Sequence, residues 1–262
     1  MSAPRVSSRR GGGGRPRPLI RCCLPLLATL QIALVAAAAP AAPRSGSGPA
    51  VSFGQLSRQV APSVVDTITF AQPAGTQILG TGIIVSAGGL VLTDYHVVRD
   101  EVFIGVRVGG VGVVRAASIV VDDPSADLAL LQIEGGGVLR PAEMEGSASA
   151  AIGDPVVAIG NALGLDVTPR AVAGRLLALG RTVSYGVGTA TVSLAGIIEA
   201  GTPIFAGDSG GALVNADGRV IGIIAAGSDD APCAPAAICP LHLAFAIPIE
   251  RALEQLGFPL AS

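Results

Sequence analysis

From about residue 50 onward, the sequence is built of short apolar runs separated by glycine and polar residues. The runs are rich in Val, Ile and Leu, and β-branched residues favour strands. The chain contains 36 glycines, and those between the runs indicate turns. With 50% of its residues hydrophobic, a chain of 262 residues can bury a sizeable core. This pattern predicts a globular, all-β protein made of many short strands.

The predicted strands fall into two sets, which are joined by a glycine-containing connection at 135–149. The first set comprises six runs at 64–70, 81–85, 90–93, 102–108, 111–121 and 128–133. The second set comprises runs at 155–159, 175–179, 183–185, 189–199, 212–215, 220–225 and 243–246. Six strands are enough to close one small barrel. We therefore predict a first barrel at about residues 62–135 and a second at about residues 150–247.

Two segments have helical periodicity instead. These are residues 52–60, which Pro62 ends, and residues 247–256 near the C-terminus. In each segment, apolar residues recur three or four positions apart and so fall on one face. The sequence therefore predicts one short helix before the first barrel and a C-terminal helix after the second.

Residues 1–42 have the pattern of an export signal. Arginines come first, an apolar run at 24–39 follows, and small residues end the segment. A linker rich in Gly, Ser and Pro at 43–51 then leads into the domain at 52–262. Because the apolar run approaches the ~20 residues that span a bilayer, an N-terminal membrane anchor is the alternative to cleavage. In both cases the domain is expected to be exported, as a periplasmic, cell-envelope or secreted protein.

The charge of the domain bears on its partners. Six of the seventeen arginines lie in the leader, and all nineteen acidic residues follow it, so the net charge falls from −2 to −8 without the leader. An acidic domain without basic runs lacks the electrostatic attraction that nucleic-acid binding requires. Nucleic acid is therefore not an expected partner.

The four cysteines divide between the leader and the domain. Cys22 and Cys23 belong to the leader, which leaves Cys233 and Cys239 as a pair. Two cysteines this close together in an exported protein most simply form a disulfide that closes a small loop. A metal site is the alternative, but two thiolates and one nearby histidine, His242, fall short of the usual four ligands. Neither a metal nor another cofactor is expected.

The segment GDSGGA places Ser209 between glycines, where its hydroxyl would stand on a bare backbone. A serine hydroxyl needs a base to act as a nucleophile, and the chain has two histidines, His96 and His242. His96 comes at the end of an apolar run, and Asp127 stands just before another run that would bury it. A buried aspartate that accepts the imidazole Nδ1–H fixes the tautomer of the base. Ser209, His96 and Asp127 are therefore the candidate catalytic residues.

A second pattern in the same segment points to another enzyme class. Residues 207–211 fit G-x-S-x-G, and Asp229 or Asp230 followed by His242 would complete the order of an esterase or lipase triad. Such a nucleophile needs a following helix and further strand–helix units, whereas the sequence after Gly211 predicts strands and turns. An esterase is therefore the less favoured alternative.

Three segments resemble the signature blocks of chymotrypsin-fold, trypsin-like serine proteases. They are GTGIIVSAGGLVLTDYHVV at 80–98, DDPSADLALLQI at 122–133 and AGDSGGALVNADGRVIGI at 206–223. The similarity is greatest to the HtrA/Deg branch and its exported bacterial relatives, and it extends over nearly all of residues 52–256. It implies an all-β fold of two antiparallel six-stranded β-barrels with a C-terminal helix.

The resemblance implies a role for each candidate residue. His96 would be the general base and then the general acid, Asp127 its orienting partner, and Ser209 the nucleophile that forms an acyl-enzyme. The backbone N–H groups of Gly207 and Ser209 would form the oxyanion hole.

The resemblance also implies where a polypeptide substrate would bind. An extended peptide would pair main chain to main chain with an edge segment, whose members are Ile224, Ala225, Ala226 and Gly227. Pro203, six residues before the serine, would lie at the base of the primary specificity pocket. Because no acidic residue stands there, we expect a preference for a small or medium apolar side chain instead of Arg or Lys.

Two features depart from the HtrA branch. Asn usually precedes the serine there, whereas this chain has Asp208, and the PDZ domain that usually follows is not expected. The implied function is an exported serine endopeptidase that acts in envelope protein quality control. The alternative is a latent or non-catalytic protease-fold module with a binding or chaperone role. Nothing in the sequence indicates an oligomeric state.

Overall fold

The computed structural model describes residues 53–72, 75–135, 137–161, 168–187, 190–228 and 242–260. Four predictions lie outside these residues, namely the leader at 1–42, the linker at 43–51, the disulfide between Cys233 and Cys239, and the alternative esterase acid at Asp229 or Asp230. Within the described ranges, no helix is both long enough and apolar enough to cross a membrane.

The first barrel closes six antiparallel strands in the order β1-β2-β3-β6-β5-β4. The strands are β1 (Val64–Ala71), β2 (Thr76–Ile84), β3 (Leu90–Thr93), β4 (Glu101–Val108), β5 (Arg115–Asp123) and β6 (Leu128–Ile133). β1 pairs with β2 along its whole length, from Val64↔Ile83 to Ala71↔Thr76, and with β4 on its other side. The apolar runs of the first predicted set therefore form this barrel.

The second barrel also closes six antiparallel strands, in the order β10-β11-β12-β9-β8-β7. The strands are β7 (Pro155–Gly160), β8 (Arg170–Val187), β9 (Ala190–Gly201), β10 (Ala212–Asn215), β11 (Val220–Ser228) and β12 (Leu243–Pro248). The predicted fold class, two antiparallel six-stranded barrels with a C-terminal helix, is thus confirmed.

Several strands differ from their predicted bounds, and β8 differs most. The runs at 175–179 and 183–185 were predicted as two strands, whereas β8 continues unbroken from Arg170 to Val187. Its register with β9 shifts at three places between Leu176 and Val183. Extra residues in one strand are accommodated by such bulges, and Gly180 adopts a φ of 75° within this stretch. The hairpin of β8 and β9 therefore extends to the pair Val187↔Ala190.

In the described residues, three α-helices accompany the barrels: α1 (Phe53–Val60), α2 (Tyr95–Val98) and α3 (Ile249–Gln255). The sequence predicted α1 and α3, whereas the single turn α2 was not predicted. One apolar cluster joins both barrels to α1 and α3; its fully buried members include Val64, Ile83, Leu92, Leu128, Ile159, Val214, Ile223 and Ile249. Because burying this aliphatic surface is favourable only while the barrels are packed together, the cluster stabilises their docking.

Candidate active site

His96 and Asp127 meet at the edge of the first barrel. β3 ends at Thr93, and the short helix α2 that follows carries His96. Asp127 stands immediately before β6, which pairs with β3 in the barrel. The His96 Nδ1 atom lies 2.7 Å from Asp127 Oδ2, and the His96 backbone N–H donates to Asp127 Oδ1 at 2.8 Å. Strand pairing therefore brings together two residues that are 31 positions apart.

The backbone of Asp127 is held in an unusual conformation. Its φ of 55° lies in the left-handed region, which few residues other than glycine, asparagine and aspartate adopt. The Tyr95 N–H donates to the Asp127 carbonyl at 3.1 Å, and the Asp127 side chain is fully buried. These contacts fix the carboxylate against the imidazole. When Nδ1–H donates to the carboxylate, Nε2 of His96 is left as the proton acceptor.

The cluster also contains Asp94, and the ligand-type atoms of Asp94, His96 and Asp127 lie within 4.8 Å of one another. A metal ion that binds two ligands tetrahedrally at about 2.0 Å keeps their atoms roughly 3.3 Å apart. The 2.7 Å between Nδ1 and Oδ2 is a hydrogen-bond distance instead. The arrangement therefore suits proton transfer better than metal binding.

Ser209 lies in a tight turn between β9 and β10. The Asp208 N–H donates to the Phe205 carbonyl at 3.0 Å, and the Gly211 N–H donates to the Asp208 carbonyl at 2.9 Å. The Asp208 carboxylate closes the turn from the side by accepting the Phe205 N–H at 2.8 Å. Asp208, whose role the sequence left open, therefore shapes the turn that carries Ser209.

Thr81 on β2 joins this turn to the first barrel. Its backbone N–H donates to the Ser209 carbonyl at 2.8 Å, and its hydroxyl donates to the Gly207 carbonyl at 2.6 Å. The same hydroxyl accepts the Asn161 N–H at 2.9 Å. One residue of the first barrel therefore fixes two peptide groups of the Ser209 turn.

Gly210 packs tightly against the first barrel. Its φ is 83°, and a Cβ atom added there would stand 2.0 Å from the Thr81 carbonyl oxygen and 2.5 Å from the Thr93 hydroxyl. No side chain fits in that space. Because Thr93 ends β3, the turn with Ser209 contacts the first barrel three residues before His96.

The backbone amides of Gly207 and Ser209 bear on anion binding. Gly207 has a φ of 98°, which favours glycine. Among the residues that the structure describes, the amides of Gly207 and Ser209 donate to no acceptor of the protein. Two donors without a protein acceptor, one on Ser209 itself and one two residues before it, are the kind of groups that a developing oxyanion needs.

The predicted substrate-binding segment lies on β11. Ile224 makes two backbone hydrogen bonds to the turn that carries Ser209. Its N–H donates to the Gly211 carbonyl, and its carbonyl accepts the Gly210 N–H. The described pairing of β11 with β10 ends at Ile223, while pairing with β12 continues to Ser228. The edge formed by Ala225, Ala226 and Gly227 is therefore unpaired by β10, as pairing with an extended peptide requires.

A cavity of about 380 Å³ lies beside the imidazole. It is lined by Ile78, His96, Arg99, Tyr185, Gly186, Ala225 and Ala226. Pro203, the predicted base of the primary pocket, is half-buried and does not line this cavity. His242, the other histidine, is exposed immediately before β12 and so lies on a different element from His96.

Asp94 is a fully buried carboxyl group next to the imidazole. Its Oδ2 lies 4.0 Å from His96 Nδ1, and in the described part of the chain neither of its oxygens has a hydrogen-bond partner. Burial, followed by the negative charge of Asp127, raises the pKa of Asp94 well above its usual value, and the nearby Gly210 amide opposes part of this rise. Asp94 therefore keeps its proton to a higher pH than an ordinary aspartic acid does, as a second carboxyl group beside Asp127.

An Asp94→Asn variant should reveal the raised pKa of Asp94 through the pH dependence of the free energy of unfolding. The unfolded chain releases the Asp94 proton near pH 3.8, whereas the folded protein retains it to higher pH. The wild type should therefore lose stability relative to Asp94→Asn above about pH 4, by up to about 1.4 kcal/mol per pH unit, until the raised pKa is passed. Thermal unfolding of both proteins across this pH range measures the difference. If the stabilities of the two proteins changed in parallel with pH, the pKa of Asp94 would not be raised.

Sequence patterns missed three residues of this site: Thr81, Asp94 and Tyr185. Thr81 and Asp94 lie inside the block at 80–98, where their neighbours on β2 and next to His96 could have drawn attention to them. Tyr185 carries no such signal, because it lies 58 positions from the carboxylate that its hydroxyl contacts.

Residues 80–223 match a protein family described as the trypsin-like peptidase domain. The serine protease PepD of Mycobacterium tuberculosis is 33% identical over 232 residues, which are 84% of this chain and 48% of PepD. The periplasmic serine endoprotease DegP of Escherichia coli is 38% identical over 146 residues, which are 55% of this chain and 29% of DegP. The chain therefore spans about half or less of the length of these curated relatives.

A solved structure is similar over most of the chain. The HtrA-type protease AlgW with tripeptide has a TM-score of 0.65 and 30% sequence identity. The similarity covers 78% of this chain and 62% of the AlgW chain. The fold of this chain is therefore similar to that of an HtrA-type protease over most of its length.

Proposed function

Because the chain belongs to the trypsin-like peptidase family, with similarity to HtrA and DegP serine proteases, we propose that it is an exported serine endopeptidase. The observation that carries the proposal is the 2.7 Å contact between His96 Nδ1 and Asp127 Oδ2, next to the turn that carries Ser209. In this proposal, Ser209, His96 and Asp127 form a catalytic triad that hydrolyses peptide bonds.

The first half of the reaction forms an acyl-enzyme. His96 Nε2 takes the proton of the Ser209 hydroxyl while the serine oxygen attacks the carbonyl carbon of the substrate. The resulting oxyanion accepts hydrogen bonds from the Gly207 and Ser209 amides, each worth about 3 kcal/mol of transition-state stabilisation. When the tetrahedral intermediate collapses, the C–N bond breaks and His96 gives its proton to the leaving amine.

The second half of the reaction releases the acyl group. His96 takes a proton from water, the hydroxide oxygen attacks the ester, and Ser209 leaves with the proton that His96 returns. Asp127 stays ionised throughout and stabilises the imidazolium that forms twice in the cycle. No step of this mechanism requires a cofactor.

The substrate is proposed to be an extended polypeptide. Its main chain would pair with Ala225, Ala226 and Gly227 on the edge of β11, and its side chains would face the cavity beside His96 and the region near Pro203. Relatives such as the periplasmic DegP support export to the cell envelope. A role in protein quality control there is part of this proposal.

Labelling with a fluorophosphonate tests the proposed nucleophile. We expect one equivalent of label on Ser209, none on a Ser209→Ala variant, and hydrolysis of casein by the wild type alone. The reagent mimics the acylation step and needs an activated serine, so a surface serine would not react at a comparable rate. Labelling that persists in Ser209→Ala would contradict the assignment. A folded protein that does not label at all would favour the latent or binding module.

A further inference from the structure

Tyr185 on β8 contacts the carboxylate that holds the imidazole. Its hydroxyl donates to Asp127 Oδ2 at 2.7 Å, which is the same oxygen that faces His96 Nδ1. Asp127 therefore has one oxygen between two donors, an imidazole from the first barrel and a phenol from the second. Hydrogen bonds to a charged acceptor are short and about twice as strong as neutral ones.

The phenol of Tyr185 acts as a donor under all ordinary conditions. Burial raises its pKa far above the usual value, and the negative charge of Asp127 and the hydrogen bond to that carboxylate raise it further. The proton therefore stays on the tyrosine oxygen, and the hydrogen bond runs from the phenol to the carboxylate. An ionised Asp127 has no proton to donate, so Tyr185 does not act as a hydrogen-bond acceptor towards it.

Tyr185 also takes part in the cavity beside the imidazole. It lines that cavity together with His96 and Ala225. The same side chain therefore borders the proposed substrate cavity and contacts Asp127 through its hydroxyl. Arg99 lines the same cavity but pairs with Asp100 at 2.9 Å. Tyr185 thus joins His96 as a residue that both lines the cavity and contacts the buried carboxylate.

We propose that Tyr185 is a positioning residue for the catalytic reaction, which fixes Asp127 Oδ2 against His96 Nδ1 from the second barrel. This inference rests on the proposed function and adds a residue to it. The Asp127 carboxylate is oriented by hydrogen bonds, from the His96 backbone N–H to Oδ1 and from His96 Nδ1 and the Tyr185 hydroxyl to Oδ2. The Tyr185 hydroxyl supplies one that does not change when His96 gains or loses a proton.

The Tyr185→Phe variant separates this role from packing. The phenyl ring preserves the cavity wall, so KM for a peptide substrate should stay within about twofold, while kcat should fall about tenfold as the hydrogen bond to a charged group is lost. Tyr185→Ala should raise KM as well, because it removes the wall. The Ser184→Ala variant is the matched control, since it removes only an exposed hydrogen bond to Ser193 on the same hairpin and should leave both constants unchanged.

A spectroscopic measurement reports on Tyr185 even without turnover. The chain has two histidines, so the low-field Nδ1 proton resonance of His96 can be assigned by comparison with a His242→Ala variant. In Tyr185→Phe we expect this resonance to move upfield, because a carboxylate that Tyr185 no longer holds in place makes a weaker hydrogen bond to Nδ1–H. In Ser184→Ala it should not move.

The outcomes distinguish the two proposals. An unmoved resonance in Tyr185→Phe, or an unchanged kcat with a raised KM, would overturn the positioning role of Tyr185. A wild-type protein that neither labels nor hydrolyses peptides would overturn the proposed function, and the resonance alone would then decide whether Tyr185 orients Asp127.

Discussion

His96→Ala should lower the rate of Ser209 acylation by about 10⁴-fold or more, which is the loss expected when a triad loses its base. Without the imidazole, the serine hydroxyl has no group to take its proton, and the buried Asp127 cannot reach that role from its position behind the ring. The fluorophosphonate labelling rate, with kcat/KM for a peptide substrate, measures the effect. Far-ultraviolet circular dichroism verifies that the variant is folded.

His242→Ala is the matched control for this experiment, because it removes the only other imidazole of the chain. His242 is exposed and precedes β12, so labelling should stay within a few-fold of the wild type. If His242→Ala abolished labelling and His96→Ala did not, the peptidase triad would be wrong and the esterase order of residues would be favoured.

Gly210→Ala should destabilise the protein by about 3 kcal/mol and abolish labelling of Ser209. The added Cβ would stand 2.0 Å from the Thr81 carbonyl oxygen, and the φ of 83° adds strain of its own. The turn must therefore move away from β2, which breaks the bonds from Thr81 to Ser209 and Gly207. Denaturant unfolding measures the stability, and labelling measures the geometry of the turn.

Gly180→Ala provides the comparison for Gly210→Ala. Gly180 has a similar φ of 75°, but a Cβ there would meet no atom within 4 Å. Its replacement should therefore cost about 1 kcal/mol from backbone strain alone and leave labelling unchanged. If both substitutions reduced stability and labelling equally, the tight packing of Gly210 against the first barrel would contribute nothing to either.

Local patterns in the sequence predicted those parts of the fold that depend on neighbouring residues. The strands β3, β6 and β10 have the predicted bounds because their apolar runs are short and end at clear turn residues. β8 was predicted as two strands, since Gly180 indicates a break when it is read alone. Pairing with β9 keeps the strand continuous by placing bulges around that glycine, and this pairing is a tertiary effect.

The candidate site follows the same division. His96 and Asp127 were found because a histidine at the end of one apolar run and an aspartate just before another fit a base and its orienting acid, and the structure brings them into contact. The contact of Tyr185 with Asp127 was missed because it depends on how the β8–β9 hairpin crosses to the first barrel. No spacing along the chain encodes that crossing. The raised pKa of Asp94 was missed for a similar reason, because burial and a neighbouring charge determine it.

The two bonds from Thr81 to the Ser209 turn have a consequence for how activity arises during folding. In the proposed mechanism, the first barrel supplies the imidazole and Thr81, while the second supplies Ser209 and the amides proposed to bind the oxyanion. Neither barrel, folded by itself, would hold the full set of proposed groups. The proposed activity would therefore arise only when the two barrels dock, and a partly folded chain would be unable to cleave other proteins or itself.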